Sequence, residues 1–338
     1  MPATPRPLVV VNLTNTRDVA DRMSAERPPS LPGWFALAIR HAGFDVALSL
    51  NPFGAWIRAL LGRRPLHALC FNPSSWYLLI FLLPALGKRV CLYQWRPLSR
   101  LAPLRLLRAY LLLALADAVV VYDPVAARYI RRIFRTKAVV QIGLYTDTDF
   151  FKPGADASND RPAPGEGFIL APGDHLRQER YFRDLAECSG LRVVRVTRNA
   201  DVAERVQQDS HAGVELVFDT TYEQLRELYR TAAAVAVFTD SAEVPIGITT
   251  CFEALACGAT VILTPGRCAA ALGRKSAPVY IWPPDRTARA HRHPGLPGRL
   301  PCADGRTRSL ARETALESAS LTTVSQQWLS VFGDPAQP

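Results

Sequence analysis

The chain contains no CxxC pair, no apolar run as long as a bilayer is thick, no HExxH, no GxSxG and no phosphate-binding P-loop. Each absence removes a class of protein. The seven cysteines (Cys70, Cys91, Cys188, Cys251, Cys257, Cys268 and Cys302) are scattered and odd in number, which argues against a zinc ribbon or a disulfide framework and favours a reducing cytoplasm. The longest apolar runs, residues 76–86 and 109–121, fall short of the ~20 residues that a spanning helix needs, and Asp117 interrupts the second. Both read as buried helical segments. The first residues lack an apolar core followed by a small-residue cleavage site, so no signal peptide is expected. The six histidines show no ligand spacing, and neither a metal nor a cofactor is expected.

What the sequence does have is length, apolar mass and positive charge. Its 338 residues, 49% of them hydrophobic, are enough for two cores, because single domains usually run to roughly 100–200 residues. The formal net charge is +10. Much of the excess lies at Lys88, Arg89, Arg96, Arg100, Arg105 and Arg108, and again between Arg286 and Arg312. No helix-turn-helix, zinc finger or RNA-binding module accompanies that charge, so no nucleic-acid partner is expected. The first cluster flanks apolar segments and would suit a phosphate or a peripheral contact with an anionic membrane. A generally basic solvated surface would account for it equally well.

Short β-branched runs alternate with longer helical stretches, the pattern of parallel βαβ units. Strands are expected at 7–13, 44–50, 67–72, 89–94, 118–123 and 138–143, with helices near 30–42 and at 73–86, 101–116 and 124–135. Asn72 and Asp123 each precede a proline, a capping side chain followed by a residue suited to the first helical turn. Residues 152–167 are rich in Pro, Gly, Ala and Asp and read as a linker. The alternation then restarts, with strands at 168–173, 192–197, 214–219, 234–239 and 259–264 and helices at 178–189, 200–208, 221–232 and 250–257. After Pro265 the periodicity fades until a last helical stretch from about Ser309 to Val331. The expected architecture is α/β, with two Rossmann-like, doubly wound parallel-sheet domains facing a cleft, the first at 1–152 and the second at 153–338.

The segment "PIGITTCFEALACGATVI", residues 245–262, poses a question of its own, because Glu253 sits among apolar neighbours. Thr250 and Glu253 have the T-x-x-E spacing of a capping box, with Gly258 as a left-handed stop. Alternatively, Gly247 permits close backbone approach, the amides of Ile248 to Phe252 offer an anion site, and Glu253 accepts from vicinal hydroxyls. One helix start would then hold both ends of a nucleotide sugar.

That segment, with "TYEQLRELYRTAAAVAVFTD" before it and "ADAVVVYDPVAARYIRRIF…VVQIGLYTDTDFFKP" further upstream, resembles the GT-B glycosyltransferases, in particular the family 4 enzymes, over roughly residues 105–265. The resemblance implies a glycosyltransferase that moves a sugar from a nucleotide-diphosphate donor to a glycan, lipid-linked or other hydroxyl acceptor, with retention, without a metal, and in polysaccharide or glycoconjugate biosynthesis. It assigns the acceptor to the first domain and the donor to the second. Glu253 becomes the ribose ligand, and Gly247, Ile248, Thr249 and Thr250 the loop facing sugar and phosphates. The cation that follows Gly173 in "APGDHLRQERYF" is Arg177 or Arg180, facing the donor diphosphate. Cysteine usage and the lack of a signal peptide lead us to expect a cytoplasmic protein, and the basic, apolar segment from Lys88 to Leu113 would allow peripheral contact at the inner face of the membrane.

Three departures stand beside the likeness. Pro245 occupies the position of the family's second glutamate, with Glu243 two places away. The first strand is followed by a stretch whose one glycine is Gly33, where a glycine-rich loop is expected, and Gln94 or Trp95 stands where a histidine is common. These departures keep open a catalytically inactive GT-B-like binding or partner subunit, and the fold also admits a nucleotide-sugar epimerase. Asp147 and Asp149 resemble a metal motif of the other large glycosyltransferase fold, but their setting matches a strand end leading to the linker.

Overall fold

A computed structural model describes residues 8–12, 37–49, 66–71, 89–93, 103–135, 137–154, 167–174, 177–208, 213–239, 245–272, 278–282 and 305–333. The chain divides into two compact units, Met1–Tyr145 with Leu321–Pro338, and Thr146–Ser320.

The first unit is built on a six-stranded sheet. Its strands are β1 (Leu8–Asn12), β2 (Asp45–Ser49), β3 (Leu66–Phe71), β4 (Arg89–Tyr93), β5 (Ala118–Val121) and β6 (Ala138–Gln141), in the order β2-β1-β3-β4-β5-β6. Every pairing is parallel. Parallel neighbours need crossovers, and two of them are α1 (Pro103–Leu115), between β4 and β5, and α2 (Pro124–Ile133), between β5 and β6. Their inner faces join the sheet in one core that includes Val90, Leu92, Leu112, Leu113, Val119, Val121 and Ile130. Asp123 caps α2 as its place before Pro124 implies, its Oδ1 accepting from the Val125 amide at 2.8 Å. Asp117, the break in the second apolar run, accepts from the Val90 amide at 2.6 Å and so ties the end of α1 to β4. The cap expected at Asn72 and the helix at 73–86 lie outside the described residues.

The second unit repeats the scheme with β7 (Phe168–Pro172), α3 (Glu179–Ser189), β8 (Arg192–Thr197), α4 (Ala200–Gln208), β9 (Val214–Phe218), α5 (Tyr222–Thr231), β10 (Ala234–Val237), α6 (Ile248–Ala256), β11 (Val261–Leu263), α7 (Arg267–Leu272), β12 (Val279–Ile281) and α8 (Gly305–Ala319). Its sheet, again all parallel, has the order β12-β11-β10-β7-β8-β9. The chain therefore winds outward from β7 through β8 and β9, returns to the other side of β7 as β10, and winds the opposite way. The carboxyl ends of β7 and β10 flank the point of reversal, where doubly wound sheets offer an open crevice.

The structure departs from the sequence reading in three places. The weakly patterned stretch after Pro265 contains α7 and β12. The single final helix is two, α8 and α9 (Leu321–Phe332), parted at Ser320. The compact units meet at Tyr145/Thr146, not at 152/153, and α9 belongs to the first unit although its position in the chain suggested the second. Packing explains this last difference. Trp328 stacks on Phe332 with centroids 5.4 Å apart, Phe332 meets Phe44 edge-on at 5.4 Å, and Gln327 Oε1 accepts from the Gly143 amide at 2.6 Å. In the second unit α8 lies on α6 through fully buried Ala311, Ala315 and Ala319, spaced one per turn.

Candidate functional site

A guanidinium occupies the switch point of the second sheet. Beyond Pro172, Gly173 takes a left-handed φ of 108° and the chain turns back, so that Arg177 forms an antiparallel bridge with Thr239, just past β10. Arg177 Nε donates to the Pro172 carbonyl at 3.1 Å. Its head lies against two glycines. A Cβ on Gly173 would overlap the guanidinium, and one on Gly247 would stand 2.8 Å from Nη1 and 2.5 Å from Val237 Cγ1. Gly247, with φ 88°, is thus required by conformation as well as by space.

Arg177 Nη1 is buried and has no hydrogen-bond partner, and no carboxylate among the described residues pairs with the side chain. Burial pushes its pKa down, and the nearby Arg195 adds to the effect. Arg195 is itself fully buried, but it is neutralised: Nη2 meets Glu179 Oε1 at 3.0 Å, and Nη1 donates to the carbonyls of Ala171 at 3.0 Å and Val196 at 2.9 Å. Two cations therefore sit close together at the sheet edge, and the carboxylate beside them, Glu179, is taken by Arg195. An anion beside Arg177 would supply the missing partner.

The helix that faces Arg177 does not begin as a capping box. α6 starts at Ile248 with Gly247 as N-cap, and its first closing bond runs from the Cys251 amide to the Gly247 carbonyl at 3.0 Å. Thr250 and Glu253 therefore lie inside the helix, so Glu253 is not free to reach back to a cap. A capping box does occur elsewhere, between Thr221 and Gln224 at the start of α5. The donors without an intrahelical acceptor are the amides of Ile248, Thr249 and Thr250, fewer than the five expected. Ile248 and Thr250 are buried and Thr249 is partly exposed. Gly258 ends the helix in the left-handed conformation, as its position implies.

Glu253 is buried, and its Oε2 accepts from Tyr229 Oη at 2.8 Å. Burial raises its pKa to about 7, against the opposing effects of the Tyr229 hydrogen bond and the Arg198 charge. Tyr229 is in turn pushed well above its ordinary value by burial and by Glu253. Among the described residues Oε1 of Glu253 has no protein donor, so one acceptor of the carboxylate remains available.

Four further residues on this edge were missed by the sequence reading. Asp174 Oδ1 accepts from the Thr197 hydroxyl and, at 3.2 Å, from the Arg198 amide. Arg198 Nε donates to the Thr220 carbonyl at 2.9 Å, and the guanidinium lies 4.5 Å over the Tyr222 ring. Asp174, Arg198 and Thr220 follow the ends of β7, β8 and β9, and that position was their signal. Tyr229 carried none beyond its place on the inner face of α5.

The structure separates the two candidate arginines. Arg177 meets Gly173 and Gly247, whereas Arg180 is exposed on α3, donates to Tyr181 Oη at 3.1 Å and lies 4.8 Å over that ring. Pro245 is buried, and Glu243, Gln94 and Trp95 lie outside the described residues. Asp147 Oδ1 accepts from the amides of Asp149 at 3.2 Å and Phe150 at 2.9 Å, the work of a turn. Among the described residues no group of three His, Cys, Asp or Glu side chains could hold a metal.

With this geometry in place, comparison with solved structures decides the fold. A glycosyltransferase from Rickettsia africae superposes with a TM-score of 0.69 at 11% identity, over 98% of this chain and 99% of that one. The chain has the GT-B glycosyltransferase fold. Two other GT-B structures agree. HepE from Anabaena, solved with UDP and glucose, gives 0.64 at 12% identity over 97% and 99% of the two chains. The sucrose-phosphate synthase of Thermosynechococcus elongatus gives 0.64 at 15% over 97% and 98%. No protein-family model matches the sequence, and no curated relative does. Identities this low carry the fold and not the residues, so the assignment of the site rests on its own chemistry.

Proposed function

We propose that the protein is a glycosyltransferase that moves a sugar from a nucleotide-diphosphate donor, bound by the second unit, to a hydroxyl acceptor held by the first, in polysaccharide or glycoconjugate biosynthesis in the cytoplasm. The observation that carries this reading is Arg177, a half-buried cation whose Nη1 is buried without a partner, pressed between two left-handed glycines at the switch point of the second sheet. In this reading its guanidinium and the first-turn amides of Ile248, Thr249 and Thr250 take the diphosphate. Gly173 and Gly247 allow the close approach. Glu253 takes the ribose hydroxyls through Oε1 while Tyr229 holds Oε2. Arg177, not Arg180, is the cation assigned to the diphosphate, because Arg177 alone of the two meets the glycines.

During transfer the bond from the anomeric carbon to the diphosphate oxygen breaks and the acceptor oxygen bonds to the same carbon. The acceptor proton leaves with the departing diphosphate. Negative charge grows on that diphosphate, where a guanidinium already fixed in place stabilises it without reorganising. Retention at the anomeric carbon and independence of metal are parts of the proposal, the latter because Arg177 supplies the positive charge that a divalent ion would otherwise bring.

HepE is recorded with UDP-glucose, which makes this the first donor to test. The purified chain is incubated with UDP-glucose and related nucleotide sugars, with glycan and lipid-linked acceptors, and release of the nucleoside diphosphate is followed. Acceptor-dependent release that persists in EDTA and falls about tenfold or more in Arg177→Met is expected. Donor binding without release under any acceptor would overturn it in favour of a binding subunit.

A further inference from the structure

The outer face of α1 is apolar where a surface helix is ordinarily polar. Leu104 is 83% exposed, and Leu107, Leu111 and Leu115 are each at least half exposed. Their spacing of three, four and four residues puts them in one stripe along the helix. Leu112 and Leu113, on the opposite side, are fully buried in the core, so α1 is apolar on both faces. Single exposed leucines are ordinary, but a continuous row is not. The row extends onto α2. Tyr110 and Tyr129 touch through their hydroxyls at 3.2 Å, Tyr110 packs on Phe134 with centroids 6.0 Å apart, and Tyr129 and Ile133 are exposed.

Charge decides what covers this surface. From Pro103 to Lys137 the sequence holds seven cations (Arg105, Arg108, Arg128, Arg131, Arg132, Arg135 and Lys137) and two acids. Both acids are engaged locally, Asp117 by the Val90 amide and Asp123 as the cap of α2. Arg128, Arg131, Arg132 and Arg135 are exposed around Tyr129 and Ile133. A second copy of the chain would bring like charges face to face. A layer of anionic headgroups over hydrocarbon is complementary to both features, leucine for the acyl boundary and arginine for the phosphates.

We propose that α1 and the exposed side of α2 form a membrane-docking surface that seats the first unit on an anionic bilayer. Among the described residues no helix is long and apolar enough to cross a membrane, and at 13 residues, or ~20 Å, α1 is too short to do so. The helix lies in the plane of the interface instead, its leucines buried among the first acyl carbons and the arginines at headgroup level. The acceptor that fits such a seat is one presented at the lipid surface. This inference stands on the first unit alone and does not depend on the donor site.

The test is co-sedimentation of the full chain with vesicles of phosphatidylcholine alone and of equal parts phosphatidylcholine and phosphatidylglycerol. Binding is expected to the mixed vesicles, weakening as salt is raised. Leu107→Ser with Leu111→Ser, and separately Arg128→Ser with Arg132→Ser, are each expected to weaken it about tenfold or more while thermal unfolding stays unchanged, since all four side chains are exposed. Equal pelleting of wild type and both variants, or no pelleting of the wild type, would overturn the proposal. So would sedimentation velocity showing a dimer that the leucine variant abolishes in protein that binds no vesicles. Nucleotide-sugar binding, measured on the same preparations, reports separately on the transferase reading.

Discussion

Glu253 is held at a cost. In the folded chain its pKa is raised from an ordinary 4.5 to about 7, so the native state binds the proton more tightly than the unfolded one. Stability from this group therefore falls as pH rises between about 4.5 and about 7, and above that the ionised carboxylate costs on the order of 3 kcal/mol. Glu253→Gln keeps an acceptor for Tyr229 without the charge. It is expected to be the more stable protein at pH 8, by up to about 3 kcal/mol, with the gap closing near pH 5, and denaturant unfolding at the two pH values checks this. In the proposed reading, a glutamate that gains no stability from its charge is kept for what it binds. Tyr229→Phe removes the hydrogen bond that opposes the upward shift. In that variant the pH at which nucleotide-sugar binding is half-lost is expected to move upward, and titrations across pH 6 to 9 in both proteins read the displacement directly.

At the scale of elements, what the sequence made legible was backbone and repeat. β-branched runs such as residues 118–121 and 192–197 can be little else than buried parallel strands, and the proline after Asp123 marks a helix start. α8 was read only as part of one longer helix from about Ser309, because the face that packs on α6 is made of alanines, which carry little hydrophobic contrast. Gly247 and Glu253 could be named from the residues around them, and Arg177, together with Arg180, from the family resemblance. That Arg177 lacks a partner, and that Thr250 and Glu253 are interior to α6, could not, since both depend on where the left-handed glycines turn the chain. Arg312 was likewise unreadable as a structural residue. Its Nη1 donates to the carbonyls of Thr148 at 2.6 Å, Phe151 at 2.8 Å and Ala256 at 3.2 Å, joining α8, the end of α6 and the segment before the linker. Arg312→Ala leaves those carbonyls without a donor and is expected to cost about 2–4 kcal/mol, seen as a lower denaturant midpoint with an unchanged m-value.

At the scale of the whole molecule, the two sheets are near repeats of one design, each parallel and doubly wound, yet the described chemistry is concentrated in the second. There the ends of four strands bring polar groups to one edge: Asp174 after β7, Arg198 after β8, Thr220 after β9 and Thr239 after β10. The first unit contributes a surface instead, apolar and basic, on α1 and α2. Donor chemistry on one unit and acceptor presentation on the other is the division of labour we propose. The central claim is that Arg177 awaits a diphosphate. The measurement that tests it most directly is calorimetric titration of nucleotide-diphosphate sugars into the wild type and Arg177→Met, with thermal unfolding of both recorded alongside. The account predicts micromolar binding of at least one donor by the wild type and a ~10- to 100-fold loss in the variant, whose unfolding temperature is unchanged or higher because a half-buried cation with an unpaired Nη1 has gone. Equal affinity in the two proteins, or no affinity of the wild type for any nucleotide sugar, would contradict it.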